Sequence, residues 1–181
     1  VRLTPDQFDP TGELIPPEAR GASYQRVRQY QTIDAFNSDF DSLELSRVEL
    51  VTLASIVEAE ARAAEERPVI AGVYHNRLRK GMLLQADPTV QYALQLTNGQ
   101  RKSRLYFRDL EIASPYNTYR HPGLPPGPIN SPGLASIEAA LYPADVPWLY
   151  FVAGNDGRHV FSRTLREHNN AIAALRRSAA R

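Results

Sequence analysis

Glu58, in the segment ASIVEAEA (54–61), is the side chain whose setting best suits acid chemistry. If this segment is helical, three apolar residues lie within about 60° of Glu58 on a helical wheel: Val51, Ala54 and Ala61. A carboxyl beside such groups loses hydration, which raises its pKa above the usual value of about 4.3. The position therefore predicts a carboxyl that is protonated near neutral pH, as a general acid must be.

Two neighbouring carboxyls fit this role less well. The same wheel places Glu49 and Glu60 at or beyond the other edge of the apolar arc, with easier access to water. The structural alternative for Glu58 is a helix carboxylate paired with an arginine, and such ion pairs are commoner than catalytic acids.

The loop segment PYNTY (115–119) suits the binding of a sugar. Tyrosine rings pack against the C–H face of a pyranose, while hydroxyl and amide groups bond to its polar substituents. We therefore expect the four residues after Pro115 to orient a sugar, with Asn117 facing the substrate and not the core: Tyr116, Asn117, Thr118 and Tyr119. The tyrosines could equally belong to the core.

Composition excludes several other kinds of chemistry. The 181 residues include 21 Lys and Arg against 20 Asp and Glu, so the formal charge of +1 disfavours strong polyanion binding. The absence of cysteine removes thiol nucleophiles and thiolate metal sites. Neither GxGxxG nor GxSxG occurs. The four histidines show no tight ligand spacing, so we expect neither metal nor cofactor: His75, His121, His159 and His168.

Two consecutive helices must position Glu58. Ser46 and Glu49 form a capping box that predicts a helix over residues 47 to about 64. A second helix has Pro68 in its first turn and ends at Gly81. Together the two helices predict a helical hairpin.

The rest of the chain predicts mixed structure and an α+β fold. Asp87, as N-cap, begins a short helix to about residue 96, a role we favour over that of a second catalytic carboxylate. Eight of the 14 prolines lie between residues 115 and 147, which predicts a long functional loop. Ser131 begins a further helix to about residue 141. Two strands then follow, joined through residues 154–157, and a Thr164–Glu167 capping box begins the last helix.

Four blocks together resemble the YceG-like family of endolytic murein transglycosylases. They are LASIVEAEA (53–61), VYHNRLRKGMLLQADPTVQYAL (73–94), SPYNTYRHPGLPPGPINSPG (114–133) and LYFVAGNDGRHVFSRTLREHN (149–169). The blocks occur in order, and the resemblance spans roughly residues 46–170, so the match is far more specific than a single motif.

The resemblance implies both a site and an architecture. The family's catalytic glutamate matches Glu58, and its glutamine and aspartate match Gln85 and Asp87, which we expect to bind substrate. The implied catalytic domain, residues 41–181, has a lysozyme-like helical part and a β-hairpin. Residues 1–40 would then be an irregular remnant of a LysM-like subdomain.

The resemblance also implies a reaction and a cellular location. Glu58 would protonate the β-1,4 bond between N-acetylmuramic acid and N-acetylglucosamine, and the muramyl C6 hydroxyl would close a 1,6-anhydro ring. The enzyme would act at the outer face of the cytoplasmic membrane, held by an upstream anchor, with cell-wall synthases as partners. Two alternatives stay open: a muramidase-type hydrolase that uses Glu58 and Asp87, and a non-catalytic glycan-binding or division-scaffold domain.

We predict that activity is indifferent to chelators, because the reaction proposed from the sequence needs no metal. Turnover of peptidoglycan should be the same in EDTA and in buffer with added zinc. A loss in EDTA that zinc restores would contradict this prediction.

Overall fold

The first helix, α1, spans Arg47–Glu60 in the computed structural model, which describes residues 45–99 and 101–179. Its predicted capping box is confirmed. The Ser46 hydroxyl accepts from the Glu49 N–H at 3.3 Å, and the Glu49 carboxylate accepts from the Ser46 N–H at 2.8 Å. The helix ends four residues earlier than predicted, since Ala61 adopts an extended backbone.

The proposed N-terminal remnant, residues 1–40, lies outside the described residues. The described residues belong to a structural unit that begins at Leu45. The boundary at residue 41 stays a prediction.

Helix α2 (Arg67–Arg79) follows α1 after a single 3₁₀ turn, Ala64–Glu66. Pro68 lies in the first turn of α2, where its missing N–H costs no helical hydrogen bond. Gly81 then takes a left-handed conformation, with φ of +63°. The predicted helical hairpin is confirmed.

Helix α3 spans Asp87–Asn98, but its N-cap is not the one predicted. Ala86 occupies the N-cap position and supplies no side-chain bond. Asp87 is the first helical residue, and its carboxylate accepts instead from the Tyr119 hydroxyl at 2.6 Å. The predicted capping role of Asp87 is therefore wrong, because a residue distant in sequence binds this carboxylate.

Helix α4 (Leu134–Leu141) completes the core by packing against α1 and α2. It begins three residues after the predicted Ser131, with Gly133 as its N-cap. The core formed by these helices and α3 consists of fully buried aliphatic side chains, whose removal from water is the main stabilising contribution: Leu50, Leu53, Ile56, Val57, Ile70, Val73, Leu84 and Val90.

The C-terminal part contains a β-hairpin and a last helix. Strands β1 (Tyr150–Ala153) and β2 (His159–Ser162) pair antiparallel, with Phe151 opposite Phe161. Residues 154–158 join them, one more than predicted. The predicted capping box of helix α5 (Leu165–Ala179) is confirmed, since the Thr164 hydroxyl accepts from the Glu167 N–H at 3.2 Å.

The fold is α+β, as the sequence predicts. The described part of the chain contains five α-helices and one two-stranded antiparallel sheet, against which α5 packs. No helix among these residues is both long and apolar enough to cross a bilayer.

We predict that Gly72→Ala destabilises the fold. A Cβ at Gly72 would clash with the Ala144 carbonyl and lie 2.8 Å from a methyl of Val146. The free energy of unfolding should fall by about 2 kcal/mol, measured by urea denaturation. At Gly127 the nearest atom, the Tyr116 hydroxyl, is 3.5 Å away. The control Gly127→Ala should therefore fold as the wild type does, and equal stability of the two variants would contradict the prediction.

Candidate active site

A cleft of about 680 Å³ opens where the helices meet the hairpin. Its walls come from the end of α1, one face of α2, the start of α3, strands β1 and β2, and α5. The side chains that could do chemistry or hold a sugar there are both acidic and aromatic: Glu60, Asp87, Tyr74, Tyr119, Tyr150, His159 and His168. Polar groups and ring faces in one concave site are typical of a glycan-binding cleft.

Glu60 is the glutamate that lines this cleft. Its carboxylate accepts a hydrogen bond of 3.0 Å from the hydroxyl of Tyr74, on α2. Burial raises the pKa of Glu60 from 4.5 to about 7, and the negative charge of Asp87 adds to the rise. The hydrogen bond from Tyr74 and the charge of Arg77 act in the opposite direction. Glu60 can thus hold a proton near neutral pH.

The sequence predicts easier access to water for Glu60, whereas its side chain is only partly exposed, at the cleft wall beside Tyr74. A helical wheel considers the neighbours on the same helix, whereas Tyr74 and the other cleft walls come from other elements. Tertiary contacts therefore bury a carboxyl that its own helix leaves open.

Glu58 lies apart from the residues that line the cleft, and its carboxylate is already bound. One oxygen accepts from the Ser136 hydroxyl at 2.6 Å and from the Gly133 N–H at 3.3 Å, at the start of α4. The other oxygen lies 3.7 Å from the guanidinium of Arg67. The hydrogen bond from Ser136 is the largest cause of a lowered pKa, which outweighs the effect of burial. The predicted rise in the pKa of Glu58 is therefore wrong.

The structure favours the structural alternative for Glu58. Its carboxylate lies at the start of helix α4. The first N–H groups of a helix have no partner within the helix, so negative charge is stabilising there. Glu58 is not among the residues that line the cleft, and its side chain is 32% exposed.

Asp87 and Tyr119 meet in the cleft. The hydroxyl of Tyr119 donates to the Asp87 carboxylate at 2.6 Å. Burial and the neighbouring carboxylate raise the pKa of Tyr119 above its usual value, so its hydroxyl stays a donor. The pair joins the loop to the start of α3.

Gln85 also lines the cleft, in an unusual backbone conformation. Its φ of +50° is left-handed, which costs a non-glycine residue of order 1 kcal/mol or more. The Gln85 N–H donates to the Thr118 carbonyl at 3.1 Å, and the side-chain oxygen lies 3.5 Å from the guanidinium of Arg77. These contacts hold the Gln85 amide at the cleft wall.

Asn117 is fully buried, contrary to the expectation that it faces substrate. Its amide nitrogen donates to the carbonyls of Leu110 and Ile112 at 2.8 and 2.9 Å, and its oxygen accepts from the Tyr119 N–H at 3.0 Å. All of these partners are backbone groups of the loop. Asn117 therefore shapes the loop, because a short amide side chain satisfies three backbone groups that would otherwise be unpaired.

Thr118 and Tyr116 also turn away from the cleft. Thr118 is buried, with its hydroxyl 2.8 Å from that of Thr89 and 3.0 Å from the Ala86 N–H, which donates to it. The ring of Tyr116 packs edge-on against Tyr92, with centroids 4.9 Å apart. Of the four loop residues, the structure brings Tyr119 alone into the cleft lining.

Sequence reasoning overlooked a buried pair beside the cleft. The ring nitrogen Nδ1 of His159 lies 2.6 Å from the Glu66 carboxylate. The backbone N–H of His159 donates to the same carboxylate at 2.9 Å. Phe151 packs edge-on against both His159 and Tyr74. These contacts connect the hairpin to the helical part, and no residue spacing in the sequence predicts them.

Arg77 is a second residue that the sequence did not single out. Arg77 lines the cleft. Its guanidinium donates to the carbonyls of Leu149 and Leu84 at 2.6 and 2.8 Å. It also lies 5.0 Å from the ring centroid of Tyr150. Arg77 thus fixes the segment before β1 against the segment before α3.

Within residues 45–99 and 101–179, no three His, Cys, Asp or Glu side chains are grouped so that they could hold a metal ion.

An acid of raised pKa in an aromatic cleft defines the site as one suited to glycan chemistry. A model of the YceG-like family matches residues 3–174. The chain belongs to the YceG-like family.

Relatives support this membership. The chain is 47% identical over 139 residues to an endolytic murein transglycosylase of Bacillus subtilis, a match that covers 77% of this chain and 38% of the relative. It is 37% identical over 146 residues to an endolytic murein transglycosylase of Streptococcus pneumoniae strain D39, covering 79% of this chain and 26% of that one. The chain thus spans well under half the length of these relatives.

A solved structure gives the same result. The crystal structure of a YceG-like protein from Listeria monocytogenes aligns with a TM-score of 0.69 at 43% identity. The alignment covers 85% of this chain and 47% of that chain.

We predict that Glu60 and Glu58 make stability depend on pH with opposite sign. The folded-state pKa of Glu60 is raised, so its contribution is complete below about pH 4.5 and is lost as pH rises to about 7. Relative to Glu60→Gln, the wild type should therefore lose stability over this range, measured by urea unfolding.

The control is Glu58→Gln. The pKa of Glu58 is lowered in the folded state, so its contribution is present above about pH 4.5 and is lost as pH falls. Slopes of the same sign for both variants would contradict the assignment of the two environments.

Proposed function

We propose that this chain is the catalytic part of an endolytic murein transglycosylase, with Glu60 as its acid. The observation that carries the proposal is the Glu60 carboxyl in the cleft, with a pKa raised to about 7. The two relatives bear the name of this activity.

In the first step, protonated Glu60 gives its proton to the oxygen of the β-1,4 bond between N-acetylmuramic acid and N-acetylglucosamine. The bond from that oxygen to the muramyl C1 breaks, and C1 gains oxocarbenium character. The hydroxyl of Tyr74 keeps the carboxyl of Glu60 oriented towards the cleft.

In the second step, the muramyl C6 hydroxyl attacks C1 of the same sugar. Its proton passes to the Glu60 carboxylate, so the 1,6-anhydro ring closes and the acid is restored. The nucleophile belongs to the substrate, and its proximity replaces the second carboxylate that a hydrolase needs. One carboxyl whose pKa is near the working pH can serve in both steps.

The other cleft residues are assigned to substrate binding. Asp87 accepts and Tyr119 donates hydrogen bonds at one wall, where sugar hydroxyls and acetamides need both kinds of partner. The amide of Gln85 offers a donor and an acceptor beside them.

We prefer Glu60 to Glu58 as the acid on grounds of protonation and access. Three donors surround the Glu58 carboxylate and favour its charged form. Protonation of Glu58 would also sacrifice contacts with the start of α4. At Glu60 the hydrogen bond from Tyr74 also favours the charged form, but the effect of burial on the pKa is larger.

The proposal extends to the setting of the whole protein. A murein-cleaving enzyme acts at the outer face of the cytoplasmic membrane, and an upstream membrane anchor and cell-wall synthase partners fit that location. The lysozyme-like arrangement of the helices and the LysM-like origin of residues 1–40 belong to the same proposal.

A second function, hydrolysis, is favoured by one observation. Asp87 lies in the same cleft as Glu60 and is close enough for its charge to raise the pKa of Glu60. A muramidase uses two catalytic carboxyl groups that flank the glycosidic bond. In that reading Asp87 activates water or attacks C1.

We predict that the products carry 1,6-anhydro ends and that Glu60→Gln abolishes their formation. Glutamine keeps the shape of the side chain but cannot give a proton, so turnover of purified peptidoglycan should fall by roughly 100-fold or more. Mass spectrometry of the products measures both their amount and their ends, since an anhydro product is lighter by one water.

Glu58→Gln is the matched control, two residues away on the same helix. It should retain anhydro-product formation but unfold at a lower denaturant concentration. Loss of activity in folded Glu58→Gln with activity kept in Glu60→Gln would restore Glu58 as the acid. Reducing muramic acid ends from the wild type would establish the hydrolase, and binding without any cleavage would establish the glycan-binding domain.

A further inference from the structure

Outside the cleft, two arginines are stacked on one tyrosine ring. The guanidinium carbons of Arg104 and Arg108 lie 5.5 and 5.7 Å from the ring centroid of Tyr106. All three side chains are exposed. In the described part of the chain, neither guanidinium has a carboxylate within 4.0 Å. We refer to Arg104, Tyr106 and Arg108 as the arginine stack.

The backbone beneath the arginine stack is held by a buried carboxylate. Asp109 accepts from the Lys102 ammonium at 2.7 Å and from the Tyr106 N–H at 2.9 Å. Lys102 is thereby paired with Asp109, whereas neither arginine of the stack forms an ion pair with another described residue. The backbone that carries the two arginines is thus held in place, and their guanidinium groups lie against the Tyr106 ring.

The loop that bears the arginine stack continues the wall of the cleft. Ser103, next to Arg104, lines the cleft together with Gln91, and the Gln91 amide donates to the Ser103 carbonyl at 3.4 Å. The segment that bears the arginine stack therefore begins at the cleft wall. Phe107, with 91% of its surface exposed, stands beside the stack as an apolar contact.

We propose that the arginine stack binds carboxylates of the stem peptides on the glycan strand held in the cleft. This inference rests on the proposed function, because murein is a glycan whose muramic acids carry short peptides. Those peptides bear carboxylates at neutral pH, and guanidinium groups bind carboxylates through paired, charge-assisted hydrogen bonds. The stack would thus favour peptide-bearing strands over strands that have lost their peptides.

The test compares two substrates and two charge-matched variants. The substrates are soluble uncross-linked glycan strands that carry stem peptides, and the same strands stripped by an N-acetylmuramoyl-L-alanine amidase. The variants are Arg104→Gln/Arg108→Gln and the control Arg176→Gln/Arg177→Gln, which removes two exposed charges from α5. Kd is measured by calorimetry in the full chain bearing Glu60→Gln, so that strands stay intact.

For the stack variant, we expect Kd for peptide-bearing strands to rise about tenfold, while Kd for stripped strands changes by less than about twofold. The control variant should bind both substrates as the parent does. Equal weakening on both substrates, equal weakening in the control, or no change in Kd would each overturn the proposal. Melting temperatures equal to the parent's exclude loss of fold as the cause.

Vesicles of phosphatidylglycerol test an anionic membrane as the alternative ligand. Binding of vesicles that is lost in the stack variant, with strand binding unchanged, would overturn the proposal in favour of lipid. The proposed function fails on a separate measurement, the absence of anhydro products from the wild type. The two failures are therefore distinguishable.

Discussion

The hydrogen bond between the Tyr74 hydroxyl and the Glu60 carboxyl joins the end of α1 to the middle of α2 at the cleft wall. A carboxyl removed from water there is tolerated because it can hold its proton, and that proton is what the proposed chemistry uses. Asp87 lies in the same cleft, and its negative charge raises the pKa of Glu60 further. The packing of α1 against α2 therefore also sets the pKa of the Glu60 carboxyl.

Glu58 and Glu60 show how two residues on one helix serve different ends. About 200° separates them around the helix axis, so Glu58 meets the start of α4 while Glu60 meets the cleft. Donor hydrogen bonds lower one pKa and burial raises the other. The same type of side chain thus favours the charged form at one position and can hold a proton near neutral pH at the other.

Buried polar groups shape the loop before α4. Asn117 satisfies three backbone groups within the loop, and Thr118 joins the loop to α3. This bonding leaves Tyr119 to face the cleft beside Asp87. The strained backbone of Gln85 is retained at the same wall, where neighbouring contacts fix it.

The sequence by itself determined the local elements and the family. Capping boxes at Ser46 and Thr164 and the glycine after α2 set helix ends, because these signals act through neighbouring backbone groups. The tertiary structure decided which glutamate enters the cleft, since Tyr74 and the hairpin bury Glu60 from outside its own helix. It also decided that Asn117 binds backbone instead of substrate, because the carbonyls that its amide meets are brought close only by the folded loop.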